Sequence, residues 1–571
     1  MTDPYTSWST SPFVDEDMKQ QLQAMSLEER QDAFYQNLEF GTGGMRGVLG
    51  PGTNRLNLLT VRRAARGIAQ YIETQGEAAK QRGFVIAFDN RRMSKEFSRE
   101  VASVVADAGV RVYLYEEPRT TPQLSYSVRA LNTFMGMMIT ASHNPPEYNG
   151  LKVYGEDGAQ LNLEDAKQVV DVINQLDGAE TLEPASFQTY LNSGRIQFIG
   201  EKLDQEYQQQ VKTVVFDKEL FQTTDLRVVF TPLHGASGGT VRLLMEDLGI
   251  TNRYFVESQM EPDPEFPTVV SANPEDHSAF EKAMELGAAK QAELLIAVDP
   301  DGDRVGLAVR DGQEYKLLNG NETGALALHF VLSQHQQRGT LPSGGVAYKT
   351  IVTSELGRVI AESFGVEMED VLTGFKFIGE KIRENEANPD YTFLFGYEES
   401  YGYLAKPFAR DKDAVQLVVL LVEMAAHYKQ KGMTLLDALD ALYTKYGAFK
   451  EKLISVTVKG AGGAKQIKHA LEDVRKNPPE AIAGISVEVI EDYLSQVRKS
   501  QQGSEKLHLP EADVIKFMLT DGTWVCLRPS GTEPKVKYYI GVRKDSKEQA
   551  LKNVEIVSGW VESWMKTKLE L

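Results

Sequence analysis

The chain has 571 residues, 42% hydrophobic and 25% charged, an ordinary globular composition that excludes extensive disorder and calls for roughly three to five domains. With 62 basic against 81 acidic residues the net charge is −19, which repels nucleic acid and anionic membranes and requires any anionic ligand to meet a locally cationic site. One cysteine, Cys526, rules out an internal disulfide framework and fits a reducing compartment; within "TWVCLRP" it reads as a small buried residue.

The N-terminal "MTDPYTSWSTSPFVDEDMKQ" lacks a basic segment followed by an apolar one, so no signal peptide is visible and a cytoplasmic location is expected. "FGTGGMRGVLG" follows, with glycines suited to tight turns and Arg46 able to meet an anion, but without the spacing of a dinucleotide fingerprint or a P-loop. From there short apolar runs recur, each followed by a Gly- or Pro-rich turn and a helical pattern: "FVIAFDNRRMS", "MGMMITASHNPP", "LRVVFTPLHGASGG", "LLIAVDPDGDR" and "GVAYKTIVTS". This alternation predicts tandem α/β units with functional residues just past the strand ends, where open α/β sheets bind ligands. "AVQLVVLLVEMAAHY", broken by Gln416 and Glu423, is too short to span a bilayer. After a helical "MTLLDALDALYTKYG", "KEKLISVTVKG" opens a more β-rich region. Domains are expected over residues 1–200, 201–320, 321–445 and 446–571.

The turns carry the chemistry. "ITASHNPPEYNGLKVY" sets Ser142 beside His143, with Lys152 further on, although Asn-Pro and Asn-Gly favour loops whatever the function. His234 in "TPLHGASGG" reads as structural. "AVDPDGDRVG" puts Asp299, Asp301 and Asp303 at alternate positions, an all-oxygen set that favours Mg²⁺ or Ca²⁺ unless it is simply a solvated acidic turn. An EF-hand is excluded because its sixth and twelfth positions would be Arg304 and Arg310. Lys376 in "TGFKFIGEK" reads, alone, as a solvated lysine. Glu398 and Ser400 in "FGYEESYGY" suit sugar hydroxyls or a charged surface turn. "CLRPSGTEPKVKYY" gathers Arg528, Ser530, Thr532 and Lys535 around Gly531, donors that could surround a phosphate or form a plain hairpin turn.

Four of these stretches, "TASHNP" at 140–145, "DPDGDR" at 299–304, "GYEES" at 396–400 and "RPSGTEPK" at 528–535, together resemble the α-D-phosphohexomutases, most closely their phosphoglucomutase branch, in order and spacing along nearly the whole chain. The resemblance implies a four-domain, heart-shaped molecule: three α/β domains with mixed sheets and a C-terminal α+β domain around a central cleft. It implies that Ser142 carries a phosphoryl group, and that Mg²⁺ is held by a phosphate oxygen there with Asp299, Asp301 and Asp303. Glucose 1-phosphate and glucose 6-phosphate would interconvert through glucose 1,6-bisphosphate.

By the same resemblance Lys152 is the acid or base, with a pKa expected to be lowered by Arg46 and Mg²⁺, and His143 supports the serine loop. Arg304 and Lys376 bind substrate, Glu398 and Ser400 contact ring hydroxyls, and Arg528, Ser530, Gly531 and Thr532 hold the other phosphate. Tyr397 stands where the commonest family pattern has glycine, a feature shared with a sub-branch that includes phosphopentomutases. Phosphopentomutase, phosphomannomutase and glucose 1,6-bisphosphate synthase are therefore the enzyme alternatives, and a sugar-phosphate-binding protein the alternative outside catalysis. The expected partners are small sugar phosphates, with neither nucleic acid nor membrane, and a monomer or homodimer.

Overall fold

The structure, a computed structural model, describes residues 3–41, 43–458, 462–530 and 534–570. It divides into two compact units, one of Met1–Thr323 with Phe375–Gly432 and one of Gly324–Gly374 with Met433–Leu571.

The strands of the first unit begin with β1 (Gly44–Val48), β2 (Phe84–Phe88), β3 (Val112–Tyr115), β4 (Met135–Ile139), β5 (Tyr148–Tyr154) and β6 (Ile196–Ile199). They form one mixed sheet in the order β1-β5-β4-β2-β3-β6. Strands β4, β2, β3 and β6 run parallel, whereas β5 returns antiparallel to β4 and carries β1 on its other edge. Continuous apolar runs such as "FVIAF" and "MGMMI" suit strands buried on both faces, and every residue of β2 and β4 is buried. A second mixed sheet is built from β7 (Val228–Thr231), β8 (Arg253–Phe255), β9 (Leu294–Val298), β10 (Val305–Asp311) and β11 (Glu314–Leu318), in the order β11-β10-β9-β7-β8. Here β9, β7 and β8 are parallel, and β10 turns back antiparallel on β9.

This unit also holds the helix Ala414–Gln430, formed by the longest apolar stretch and buried along nearly its whole length. Asp413 caps its first turn, accepting from the Gln416 N–H at 3.0 Å. No helix among the described residues is long and apolar enough to cross a membrane.

In the second unit β12 (Gly345–Thr350) pairs in parallel with β13 (Glu367–Val371). Two further strands, β14 (Thr392–Glu398) and β15 (Gly402–Leu404), form an antiparallel hairpin in the first unit. The C-terminal region is an antiparallel sheet. Its strands are β16 (Ala448–Thr457), β17 (Ala481–Ile482), β18 (Ile485–Asp492), β19 (Val497–Ser500), β20 (Gly503–Lys506), β21 (Ile515–Leu519), β22 (Trp524–Pro529) and β23 (Lys535–Lys544). Their order is β16-β23-β22-β21-β18-β19-β20, with β17 paired to β18, and the helix Lys547–Lys568 closes the chain. Cys526 is buried in β22.

Two glycines show why the functional loops have their sequences. A Cβ on Gly150 would lie 2.6 Å from the Met45 carbonyl oxygen and 2.8 Å from that of Thr140, so only glycine lets β5 pass between its neighbours. Gly302 adopts φ +72°, and a Cβ there would come within 2.5 Å of Thr120 Cγ2. Gly302→Ala therefore combines left-handed strain of about 1–3 kcal/mol with a clash against buried Thr120. A lower thermal unfolding midpoint is expected for it, while Gly239→Ala, with open space around the new methyl, serves as a near-neutral control. Equal midpoints for the two variants would refute this account of the loop.

Candidate active site

Two loops of the first unit meet at the carboxyl ends of parallel strands, the position where α/β sheets place ligands, and a neighbouring antiparallel strand adds a lysine. Thr140–Asn144 follows β4, Asp299–Arg304 follows β9, and Lys152 reaches in from β5. Ser142 is buried and non-glycine, yet its φ is +54°. Such strain concentrates at functional positions when the surroundings over-determine it. The Ser142 N–H donates to Thr140 Oγ1 at 2.8 Å, and its hydroxyl donates to Asp299 Oδ2 at 2.9 Å. His143 Nδ1 lies 3.2 Å from Ser142 Oγ and 4.0 Å from Asp299 Oδ2. Burial, reinforced by Arg304 and Arg46, lowers the His143 pKa to about 3 and keeps the ring neutral at physiological pH.

The carboxylates of Asp299, Asp301 and Asp303 are buried, and each offers an oxygen within 4.8 Å of the others. Asp299 Oδ1 accepts from the Asp303 and Arg304 N–H groups at 3.0 and 2.9 Å, which folds the loop around it. Asp301 Oδ2 accepts from Thr121 Oγ1 at 2.8 Å and from Lys152 Nζ at 2.7 Å. Asp303 Oδ2 accepts from Lys152 Nζ at 2.9 Å, and Lys412 Nζ lies 3.3 Å from the same oxygen. Oδ1 of Asp301 and Oδ1 of Asp303 are buried without a hydrogen-bond partner among the described residues. Hard oxygen donors left open in this way, with no sulfur or imidazole in the set, fit a divalent cation such as Mg²⁺.

The electrostatics agree with that fit. Desolvation, followed by the charges of Asp301 and Asp303, pushes the Asp299 carboxyl well above the usual carboxylate range. Asp301 and Asp303 are desolvated too, yet Lys152, joined by Lys412 and Arg304 at Asp303, holds both below that range. Three like charges in one dry loop are thus accommodated by partial neutralisation and by cations. The lowering expected for Lys152 concerns a site with Mg²⁺ bound; without a cation, burial opposes its charge, but the two carboxylates outweigh burial and its pKa is raised. Folding puts the lysine directly on Asp301 and Asp303.

Arg304 joins the aspartate loop to the loop that follows β14. Its Nη1 donates to the Ser400 carbonyl at 2.8 Å and to Glu275 Oε1 at 3.0 Å. Glu398 ends β14 and is buried, and desolvation raises its pKa against the opposing pull of Lys412 and Arg304. Arg46 lies opposite Gly150 in the β1–β5 ladder, keeps solvent exposure, and donates from Nη1 to Asn144 Oδ1 at 2.9 Å. Lys376 opens the helix Lys376–Asn385 and lines a small cavity with Asp157 and Gln160. Burial lowers its pKa to about 8, so it is not the freely solvated lysine its sequence suggests. In the second unit, Arg528 sits near the end of β22, and the Ser530 N–H donates to the Lys535 carbonyl at 2.7 Å. Gly531 and Thr532 lie outside the described residues. His234 is buried, with Nε2 2.9 Å from Thr268 Oγ1.

Lys412 and Thr121 belong to this constellation, although no sequence motif marks them. "ARDKDA" looks like a charged turn before a helix, and only a lysine held in a buried turn next to Gly402 reveals otherwise. "RTTPQ" reads as a helix start, and the first helical residue, Thr121, also holds Asp301 through its N–H and hydroxyl.

Four segments match the domains of one family: phosphoglucomutase/phosphomannomutase alpha/beta/alpha domain I at residues 37–180, domain II at 205–312, domain III at 319–446, and the C-terminal domain at 453–556. The chain belongs to the phosphoglucomutase/phosphomannomutase family. It is 40% identical over 519 residues to a phosphoglucomutase of Staphylococcus aureus, covering 90% of this chain and 91% of the relative. A phosphoglucomutase of Staphylococcus epidermidis is likewise 40% identical over 521 residues, covering 91% and 93%. The fold also matches the crystal structure of parafusin, the exocytosis-sensitive phosphoprotein and phosphoglucomutase of Paramecium, in its open form. That match has a TM-score of 0.69 at 18% identity and covers 94% of this chain and 96% of the other.

Proposed function

We propose that the chain is a phosphoglucomutase that interconverts glucose 1-phosphate and glucose 6-phosphate through phosphorylated Ser142 and a glucose 1,6-bisphosphate intermediate. The observation that carries this reading is the Ser142 hydroxyl, 2.9 Å from Asp299 Oδ2 at the edge of a buried three-carboxylate loop, in a chain with 40% identity to phosphoglucomutases. In the first half-reaction the bond between phosphorus and Ser142 Oγ breaks as the free sugar hydroxyl bonds to phosphorus. The hydroxyl's proton ends on Ser142 Oγ. The bisphosphate then turns round, and Ser142 takes back the other phosphoryl group.

Asp299, Asp301, Asp303 and an oxygen on Ser142 would hold the cation, proposed as Mg²⁺, which when bound offsets the charge that keeps an anionic acceptor away. Lys152, protonated between two aspartates, is assigned as the relay that gives a proton to the Ser142 oxygen as it leaves phosphorus and takes up the proton the sugar hydroxyl loses, so that in net one proton passes from hydroxyl to Ser142 Oγ. The neutral His143 supports the serine turn, and Arg46 and Arg304 bind phosphate. Glu398 and Ser400 receive ring hydroxyls, and Lys376 binds substrate. Arg528, Ser530, Gly531 and Thr532 are assigned as phosphate ligands. The chain is proposed to fold as four domains with junctions near residues 200, 320 and 445.

The test is a coupled assay of glucose 1-phosphate beside mannose 1-phosphate and ribose 1-phosphate, with Mg²⁺ and trace glucose 1,6-bisphosphate. A kcat/KM favouring glucose by about tenfold or more is expected. A preference for either competitor, or no glucose turnover by folded protein pre-incubated with bisphosphate, would reject the assignment.

A further inference from the structure

We propose that Arg91 is a positioning residue for Ser142: its guanidinium shapes the turn that presents the serine hydroxyl to the aspartate loop. The inference rests on Ser142 being the phosphoryl carrier.

Arg91 follows β2 in "FDNRR" and is buried. Its Nη2 donates to the Ser142 carbonyl at 2.6 Å and to that of Asn144, while Nη1 donates to the carbonyls of Pro145 at 2.9 Å and Tyr148 at 3.1 Å. Three carbonyls of one irregular loop and that of Tyr148, which opens β5, therefore converge on a single planar group. A buried loop must satisfy its carbonyls outside a helix or ladder, and the rigid fork of arginine does so where the three donors of lysine, clustered at one point, do not. One of the four carbonyls belongs to Ser142 itself, the residue held at φ +54°. That backbone conformation persists because the surroundings over-determine it, and Arg91 supplies much of that determination.

The guanidinium is itself fixed. Asp89 Oδ1 accepts from the Arg91 N–H at 2.9 Å and from Ser94 Oγ at 2.8 Å, and Asp89 Oδ2 lies 3.4 Å from Arg91 Nε. The Asp89 N–H donates to the Ile139 carbonyl at 3.0 Å, at the end of the strand that leads into the serine loop. On the other side, Arg91 stacks 5.2 Å from the Phe266 ring centre, and Asn90 Nδ2 donates to the Asp263 carbonyl at 3.0 Å. The Asp263 N–H donates to the His234 carbonyl at 3.1 Å, and the Ala236 N–H to the Pro300 carbonyl at 2.8 Å, inside the aspartate loop. The same short segment thus grips the serine turn and the backbone that abuts the aspartate loop, and so fixes the Ser142 oxygen relative to Asp299.

The test uses full-length Arg91→Lys and the isosteric Asp89→Asn, each compared with the native chain after circular dichroism has established the folded fraction. Two quantities are read: kcat and KM for glucose 1-phosphate at saturating Mg²⁺ and bisphosphate, and the single-turnover rate at which glucose 1,6-bisphosphate labels Ser142. For Arg91→Lys, kcat and the labelling rate per folded molecule should each fall about ten- to a hundredfold with KM within about twofold, because displacing a reacting atom by an ångström or less costs rates of that order. Asp89→Asn should shift both in the same direction by less, and it decides the matter should Arg91→Lys not fold. A purely structural role would lower the folded fraction and leave both rates per folded molecule unchanged; that result overturns the inference while the native chain still labels. Failure of the native chain to label Ser142 overturns the phosphoserine reading and this inference with it.

Discussion

Ser142→Ala is expected to lower turnover of glucose 1-phosphate by about 10⁴-fold or more, the scale seen when a nucleophile that acts as one unit with its site is removed. Alanine retains every backbone contact of the turn, including the N–H bond to Thr140 Oγ1, and loses the hydroxyl's bond to Asp299 Oδ2. One such hydrogen bond contributes about 1 kcal/mol to folding, or up to about 3 kcal/mol when a charged acceptor is left unpaired, so the variant should remain folded. Beside the serine His143 offers an imidazole rather than a hydroxyl, and Lys152 is bound to Asp301 and Asp303. Mass spectrometry after incubation with glucose 1,6-bisphosphate should find phosphate on the peptide containing residue 142 in the native chain and none there in the variant. Turnover by the variant within tenfold of native would remove Ser142 from the mechanism.

Chelation should have a comparable effect. Stripping divalent cations with EDTA is expected to abolish turnover and Mg²⁺ to restore it, with Asp301→Asn losing about a hundredfold or more even at high Mg²⁺. The basis is the pair of buried carboxylate oxygens, Asp301 Oδ1 and Asp303 Oδ1, that lack hydrogen-bond partners among the described residues. Binding to the native state alone would raise stability by about 2.7 kcal/mol at a hundred times Kd, visible as an upward shift in Tm. The pH dependence has a defined sign. Asp299 holds its proton to higher pH than an ordinary carboxyl, and a cation must displace it, so Mg²⁺ affinity should weaken as pH falls through that raised pKa. Activity that survives exhaustive chelation, or an affinity that strengthens on acidification, would refute the metal assignment.

Much of this site is legible in the sequence because its residues come in short runs. Asp299, Asp301 and Asp303 alternate within five positions, and such an all-oxygen cluster after an apolar strand points to a hard cation or to a solvated acidic turn, a choice that burial in the fold decides. Ser142 was legible for the same reason: "MGMMI" reads as a buried strand, and "TASHNP" reads as the turn at its end. The partners of those residues were not legible. Lys412 reaches Asp303 across more than a hundred positions of sequence, and Thr121 reaches Asp301 from a helix start in another part of the chain. Long-range pairs leave no local pattern, since their spacing is set by strand order and not by a helical or strand period. Lys152 shows the consequence. The resemblance sets Arg46 and a bound cation beside it, which would lower its pKa; the metal-free fold sets it on two carboxylates, which raise it.

By itself, then, the sequence determined the α/β units, the continuous apolar strands, the oxygen donors at the strand ends and the family to which they belong, because these depend on residue type and short spacing. The tertiary structure alone decided which charges share a dry volume, that Ser142 sits at positive φ with its hydroxyl on Asp299, and that Arg91 collects three carbonyls of the serine loop and that of Tyr148. The physical reason is that protonation and orientation are set by distance and desolvation, and only the packed chain fixes those.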